Sequence, residues 1–247
     1  MASRYLTISN SMFLSTKRLT CSGKFLIQGD FVLTASRQDI DVSCPWNKSL
    51  LSAIPAAFLS AAQQFNRGPM RYAWPCLLQQ RPLTNDLFMD LEKRTLQLLS
   101  QYPILRSCAE DRCAKPDELR LVPKSYRDGD GKFLLSCDAL NHKYLSPCYA
   151  EADSLTLVRL GVRQQSAEEF LSDLDTLLQQ HPVELWQRPA KWHSHLSSTL
   201  LSMIRRRPEC RRGVLAMKLV PLRSGKWVPF SQERLVLAEE RRHGKQA

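Results

Sequence analysis

The residue of this sequence best suited to chemistry is Arg37, which follows an apolar run and stands in a polar segment that reads LTASRQ from Leu33. A guanidinium group stays charged at every physiological pH, and its planar fork matches the oxygens of phosphate and carboxylate groups. The pattern indicates a strand that delivers this arginine to a loop. A structural role is the alternative, in which Arg37 forms a salt bridge to Asp39 or Asp41 and holds the loop closed.

Two other motifs resemble metal or nucleotide sites. The sequence DGDG at 128–131 lacks the further oxygen ligands of a calcium-binding EF-hand, and Asp and Gly are the usual residues of a hairpin turn. His193 and His195 are two positions apart on a predicted helix, so they point about 200° away from each other and suit surface or capping roles. We therefore predict a turn at 128–131, no metal site, and no cofactor bound by this chain.

The cysteines are spread along the chain without a metal-binding or catalytic frame. They stand at positions 21, 44, 76, 108, 113, 137, 148 and 210, and no Cys-x-x-Cys occurs. A zinc site needs four ligands at tight local spacings, so we expect reduced, mostly buried thiols. A Gly-x-Ser-x-Gly nucleophile motif is also lacking, and we do not expect an enzyme that works on its own.

A strand and a helix must position the arginine. The apolar run Lys24–Leu33 predicts a strand that is apolar on both faces and central in its sheet. Residues Trp46–Phe65 predict a helix in two pieces, because Pro55 cannot donate a hydrogen bond in a helix interior but suits the first turn of a new helix.

The second half of the sequence alternates strands, hairpins and helices. The tripeptide LVP followed by GKF at 121–133, and LVP followed by GKW at 219–227, predict two similar hairpins. Ser166 and Glu169 have the spacing of a capping box at the start of a helix. The next helix, from about Ala190 to Arg205, ends in three arginines. We interpret them as complements of the helix dipole in preference to a localisation signal.

Bulk properties bound the class of protein. A chain of 247 residues with 43% hydrophobic residues suits one large or two small domains with a packed core. The predicted strands and helices indicate an α+β fold with mixed or antiparallel sheet segments and packed amphipathic helices. The net charge of +11 suits a polyanionic partner, but 24 acidic residues are interspersed and no nucleic-acid recognition module is legible. We expect no specific nucleic-acid binding, no membrane span, and an intracellular location, cytoplasmic or nuclear.

We divide the chain into three parts. Residues 1–23 form an atypical leader, which is Ser/Thr-rich and lacks acidic residues. We interpret it as a disordered segment or as a wrongly predicted start of the protein. A mitochondrial transit segment is a minor alternative. Residues 24–113 form a strand-loop-helix region, and 114–247 form an α+β region with hairpins, helices and a basic tail. If a domain that precedes the strand at 24–33 is missing, the strand lacks its neighbours, and we then expect exposed strand edges and an aggregation-prone N-terminal portion.

Several motifs together resemble a known family. QGDFVLTASRQDID, CPWN, SLLSAIPAAFLSA and QQFNRGPMRYAWPCLL follow one another, and LRLVPKSYRDGDGKFL, YLSPCY, LGVRQQSAEEFLSDL, KWHSHL and KLVPLRSGKWVPF come later. Over roughly 24–230 the chain is similar to fungal sacsin-like and NO VEIN-like proteins, in the region that follows their GHKL-type ATPase domain. Only 23 residues precede Lys24, so we expect that ATPase domain to be missing here.

The resemblance implies a fold like the middle region of a chaperone-type ATPase, with ATP and Mg²⁺ bound only in full-length relatives. In the large heat-shock chaperones, the arginine of a Leu-x-Ser-Arg-Glu loop contacts the γ-phosphate of ATP. Carried over, this makes Arg37 the candidate catalytic residue, acting on a nucleotide bound by another domain. Gln38 departs from the glutamate of the chaperone motif.

Two functions are consistent with the sequence. In the first, the chain is a non-catalytic region of a sacsin-like or NO VEIN-like ATPase, which couples nucleotide state to a protein client, and its partners are that client and the ATPase domain. In the second, it is an autonomous interaction or scaffold module whose basic C-terminal third binds an acidic partner.

Overall fold

The computed structural model describes residues 7–9, 18–21, 25–36, 40–78, 86–109, 112–135, 138–222 and 224–231. The chain forms two compact units, one of residues 1–123 and 137–164 and the other of residues 124–136 and 165–247. Helices and short strand pairs occur together, so the predicted α+β class is confirmed. The predicted boundary between Cys113 and Ala114 falls inside the first unit. Whether the regions on either side of it fold separately is untested, and the boundary stays a prediction.

A small antiparallel sheet begins the first unit. It consists of β1 (Thr7–Ser9), β2 (Arg18–Cys21) and β3 (Phe25–Gln28), in the order β1-β3-β2. The predicted central position of the strand is confirmed, although the strand is only four residues long. Both of its edges are paired by residues of the leader, so the expected unpaired edges are wrong. Sheet pairing uses backbone groups, which is why the polar leader composition did not reveal it.

Two helices follow. They are α1 (Pro45–Phe65) and α2 (Asp86–Leu99), which pack against each other. The prediction of two helical pieces is wrong, since α1 runs without a break through Pro55. The proline removes one backbone hydrogen bond, but Ile54, Pro55 and Phe58 are all buried. Burial of this apolar face offsets the missing bond.

The rest of the first unit is built from short elements: β4 (Leu105–Arg106), β5 (Cys113–Ala114), β6 (Arg120–Leu121), α3 (Asp138–Asn141), α4 (Ser154–Arg159) and β7 (Arg163–Gln164). Strands β4 and β5 are antiparallel, whereas β6 and β7 are parallel. The turn and the return of the first predicted hairpin are present, because Arg127 and Phe133 form an antiparallel bridge. Its first strand is wrong, because Leu121 pairs with Gln164. This partner is distant in sequence, and local turn signals do not predict it.

Among its described residues, the first unit contains two apolar clusters. The larger cluster includes Phe58, Trp74 and Leu99. The smaller consists of Phe31, Ile40, Leu50, Leu51, Ile54 and Leu91, with Leu33 packed against it. The smaller cluster joins the segment just after β3 to the buried face of α1, and it is the support of the loop that carries Arg37.

The second unit is mainly helical. It contains α5 (Ala167–Gln180), α6 (Pro182–Trp186), α7 (Ala190–Arg206), α8 (Arg211–Ala216), β8 (Lys218–Pro221) and β9 (Trp227–Pro229). The capping box is confirmed, because Glu169 N–H donates to Ser166 Oγ at 3.1 Å and Ser166 N–H donates to Glu169 Oε2 at 2.9 Å. Strands β8 and β9 pair antiparallel, where the sequence predicts its second hairpin.

Among the described residues, no helix is both long enough and apolar enough to cross a membrane. Six cysteine side chains are described, and none of them forms a disulfide. Cys210 is buried, Cys148 is exposed and the other four are intermediate, so the expectation of mostly buried thiols is wrong for these residues.

Candidate functional site

The loop predicted to present Arg37 has its two ends held together. Leu33 and Ile40 form an antiparallel β-bridge, and Asp41 N–H donates to Val32 O at 3.0 Å. Ile40 is 6% exposed and belongs to the smaller apolar cluster. The residues that join the two ends, 37–39, lie outside the described residues, and the phosphate-contacting role of Arg37 and its salt bridge both stay predictions.

Asn47, in the first turn of α1, fastens both ends of this loop. Its side chain is fully buried, and its amide oxygen accepts from Val32 N–H at 2.9 Å. Its amide nitrogen donates to Val32 O at 2.7 Å and to Asp41 O at 2.8 Å. Both amide hydrogens and the carbonyl oxygen are thus used, and each bond reaches a different backbone group of the loop ends. A buried amide with this pattern fixes the backbone that it contacts.

Further contacts hold the chain on either side of the loop. Trp46 Nε1 donates to Asp30 O at 2.7 Å, and this ties the residues after β3 to the start of α1. Asp41 accepts hydrogen bonds from the hydroxyl and the backbone N–H of Ser43. These bonds, the hydroxyl first, lower the pKa of the Asp41 carboxyl, which is therefore charged at neutral pH.

Sequence reasoning did not identify Asn47 as a positioning residue, although CPWN was among the quoted motifs. The signal was present in the helical pattern. Leu50, Leu51 and Ile54 lie on the buried face of α1, and position 47 falls on the same face one turn earlier. A polar residue on the buried face of a helix must find hydrogen-bond partners, so it indicates a specific tertiary contact.

The DGDG sequence is a turn, as predicted. Asp128 Oδ1 accepts from Asp130 N–H and from Lys132 N–H, both at 2.9 Å, and Gly131 has a positive φ of 79°. The carboxylate of Asp128 is thus engaged with the turn backbone. In the part of the chain that the structure describes, no group of three or more His, Cys, Asp or Glu side chains could hold a metal ion.

The two predicted histidines have different neighbours. His193 stacks on Trp227 with ring centroids 5.4 Å apart. The ring of His195 instead lies against the turn at 128–131, so close to Gly129 that a Cβ atom on that glycine would be 3.4 Å from the ring. Both side chains are half-buried in packing positions. The structure does not bring them together.

A groove of about 570 Å³ lies between α2 and the residues that follow α4. Met89, Leu96 and Leu160 supply apolar lining, and Arg159 pairs with Glu92 at 2.8 Å. The ion pair neutralises two of the charges in the lining. The groove therefore offers less distinctive chemistry than the fastened loop.

A stretch of 62 residues is 44% identical to Protein NO VEIN of Arabidopsis thaliana. The aligned stretch is 25% of this chain but 2% of that protein, so the chain spans only a small fraction of the curated relative that it matches. No family model and no solved structure matches the chain. The similarity supports a general relation to NO VEIN-like proteins.

Proposed function

We propose that this chain is a non-catalytic coupling module of a NO VEIN-like, chaperone-type ATPase. Arg37 contacts the γ-phosphate of ATP bound by a separate ATPase domain, and the contact transmits the nucleotide state to the binding of a protein client. ATP and Mg²⁺ belong to that other domain. The observation that carries the proposal is the fastening of the Arg37 loop by the buried amide of Asn47.

The physical argument concerns the entropy of the loop. An arginine that binds a phosphate on another domain is most effective when its backbone is held in place before the domains meet, because ordering then costs less on binding. The Leu33–Ile40 bridge and the Asn47 hydrogen bonds hold both ends of a segment of only six intervening residues, 34–39. Arginine suits this position, since its fork binds phosphate oxygens and its charge stabilises the charge that develops during phosphoryl transfer.

Association with an ATPase domain tests the proposal. The purified chain is titrated into a separately expressed ATPase domain of a NO VEIN-like relative, with and without a non-hydrolysable ATP analogue. We expect binding that tightens with the analogue, because the γ-phosphate supplies a partner for Arg37. Arg67→Ala, which changes an exposed arginine two residues after α1, serves as the control and leaves the binding unchanged. Absence of binding, or equal binding with and without the analogue, would contradict the proposed contact between Arg37 and the γ-phosphate.

A further inference from the structure

An exposed group of arginines lies where α7 joins α8 in the second unit. Arg205 and Arg206 are in the last turn of α7, and Arg211 and Arg212 begin α8. All four side chains are exposed. Within the described part of the chain, none of the four forms an ion pair. We call these four residues the arginine surface.

The neighbouring Arg207 differs from these four arginines because it has a structural partner. It donates to Glu168 Oε1 at 2.8 Å and so links α7 to the start of α5. The arginine surface has no such partner in the described residues.

Helix dipoles explain only half of the arginine surface. Arg205 and Arg206 stand at a helix C-terminus, where positive charge is favourable, and this agrees with the interpretation from the sequence. Arg211 and Arg212 lie where the 3-10 turn Pro208–Cys210 continues into α8, away from the C-terminus of α8, so the helix dipole gives no reason for positive charge there. Glu209, which is exposed and lies between them in sequence, supplies one negative charge against these four positive charges. Local stability does not account for this arrangement, whereas an anionic partner would.

We propose that the arginine surface binds an acidic segment of a partner protein, independently of the role assigned to Arg37. The guanidinium forks match carboxylates, and the charges accelerate the encounter with an acidic chain. Phe230 is 64% exposed, and the next residue, Ser231, donates its N–H to Leu215 O in α8 at 2.9 Å. Phe230 therefore supplies an apolar contact beside α8, suited to an apolar side chain within the acidic segment.

The aromatic residues of this unit favour a protein partner over a nucleic acid. Single-stranded nucleic acids need several free rings on which successive bases stack. Trp186 stacks on Trp227 with centroids 5.8 Å apart, and Tyr126 packs on Phe170 at 4.5 Å. Among the described residues of the unit, Phe230 is the aromatic ring that remains exposed. One ring can anchor a peptide side chain but cannot form a stacking platform.

The experiment measures the affinity of a fluorescent polyglutamate peptide with a central leucine for the full chain. The test variant carries Arg→Gln changes at the four positions of the arginine surface. An exposed ion pair contributes a factor of about two to three in a binding constant, so we expect binding to weaken roughly 15- to 80-fold. The control variant loses the same charge at four exposed sites outside the arginine surface: Arg67, Lys93, Lys115 and Lys132. Its binding is expected to change by less than about twofold because these charges do not belong to the arginine surface.

A double variant, Arg211→Gln with Arg212→Gln, guards against misfolding of the fourfold variant. It removes charges that form no ion pair among the described residues, so stability should not fall, and binding should weaken about four- to ninefold. Equal weakening in the control variant, failure of the peptide to bind, or tighter binding of a polyuridine oligonucleotide with the same charge would overturn the proposal.

Discussion

Replacing Asn47 should loosen the loop that carries Arg37. Asn47→Ala removes three hydrogen bonds, each with a net contribution of about 0.5–1.5 kcal/mol. Val32 O keeps its bond from Asp41 N–H at 3.0 Å, and Val32 itself is 43% exposed, so water can replace part of what is lost. We therefore expect a cost in the lower part of the summed range, about 1.5–3 kcal/mol.

Amide hydrogen exchange is the most direct assay, because it reports opening of the loop separately from unfolding of the whole chain. The Val32 amide donates to Asn47 Oδ1 and should exchange about 10- to 100-fold faster in Asn47→Ala. Gln63→Ala is the matched control, since Gln63 is an exposed amide side chain on the same helix. Its effect on Val32 exchange should be negligible.

Asn47→Asp is a second, more severe test. An aspartate can still accept from Val32 N–H, but its carboxylate would face the carbonyl oxygens of Val32 and Asp41 in a buried position. We expect this variant to be less stable than Asn47→Ala at neutral pH. Unchanged Val32 exchange in both variants would refute the reasoning that Asn47 fastens the loop.

Three further predictions concern the second unit. Ser166→Ala removes the capping box and should lower the free energy of unfolding by about 1 kcal/mol in urea titrations, whereas Ser172→Ala on the exposed face of the same helix should have little effect. Hydrogen bonds from its own backbone and from Ser166 lower the pKa of Glu168, so its contribution is present above the ordinary value of 4.5 and is lost as pH falls through the lower folded value. Glu168→Gln should accordingly flatten the acid limb of the stability profile, and a limb identical to wild type would contradict this assignment. Trp192→Phe leaves Leu134 O without its 2.9 Å hydrogen bond and should lower the thermal midpoint, with a cost of about 1–3 kcal/mol.

Local patterns predicted the helices of the second unit well. The capping box at Ser166 and the helix from about Ala190 to Arg205 depend on neighbours three or four positions apart, and the structure confirms them. The helix break at Pro55 was wrong because tertiary burial offsets a local penalty. The partner of Leu121 and the strands of the leader were missed because backbone pairing over long sequence distances leaves little trace in composition.

The candidate site also has one part that the sequence predicted and one part that it did not. The position of Arg37 after an apolar strand was legible, but the fastening of its loop depends on Asn47, whose partners lie up to 15 residues away. The sequence pattern could place Asn47 on the buried face of α1. It could not identify the backbone groups that Asn47 binds, because those depend on how the loop returns to the helix.

The central claim is that Arg37 acts on a phosphate held by another domain. Its most direct test is the rate of ATP hydrolysis by the ATPase domain of a NO VEIN-like relative, measured with saturating wild-type chain, Arg37→Ala or Arg37→Lys. We predict that Arg37→Ala slows turnover by roughly 100-fold while the affinity for ATP changes little, and that Arg37→Lys restores only part of the rate because it lacks the planar fork. Turnover equal to wild type in Arg37→Ala, together with reduced stability of the chain, would contradict the claim and identify Arg37 as a structural salt-bridge residue.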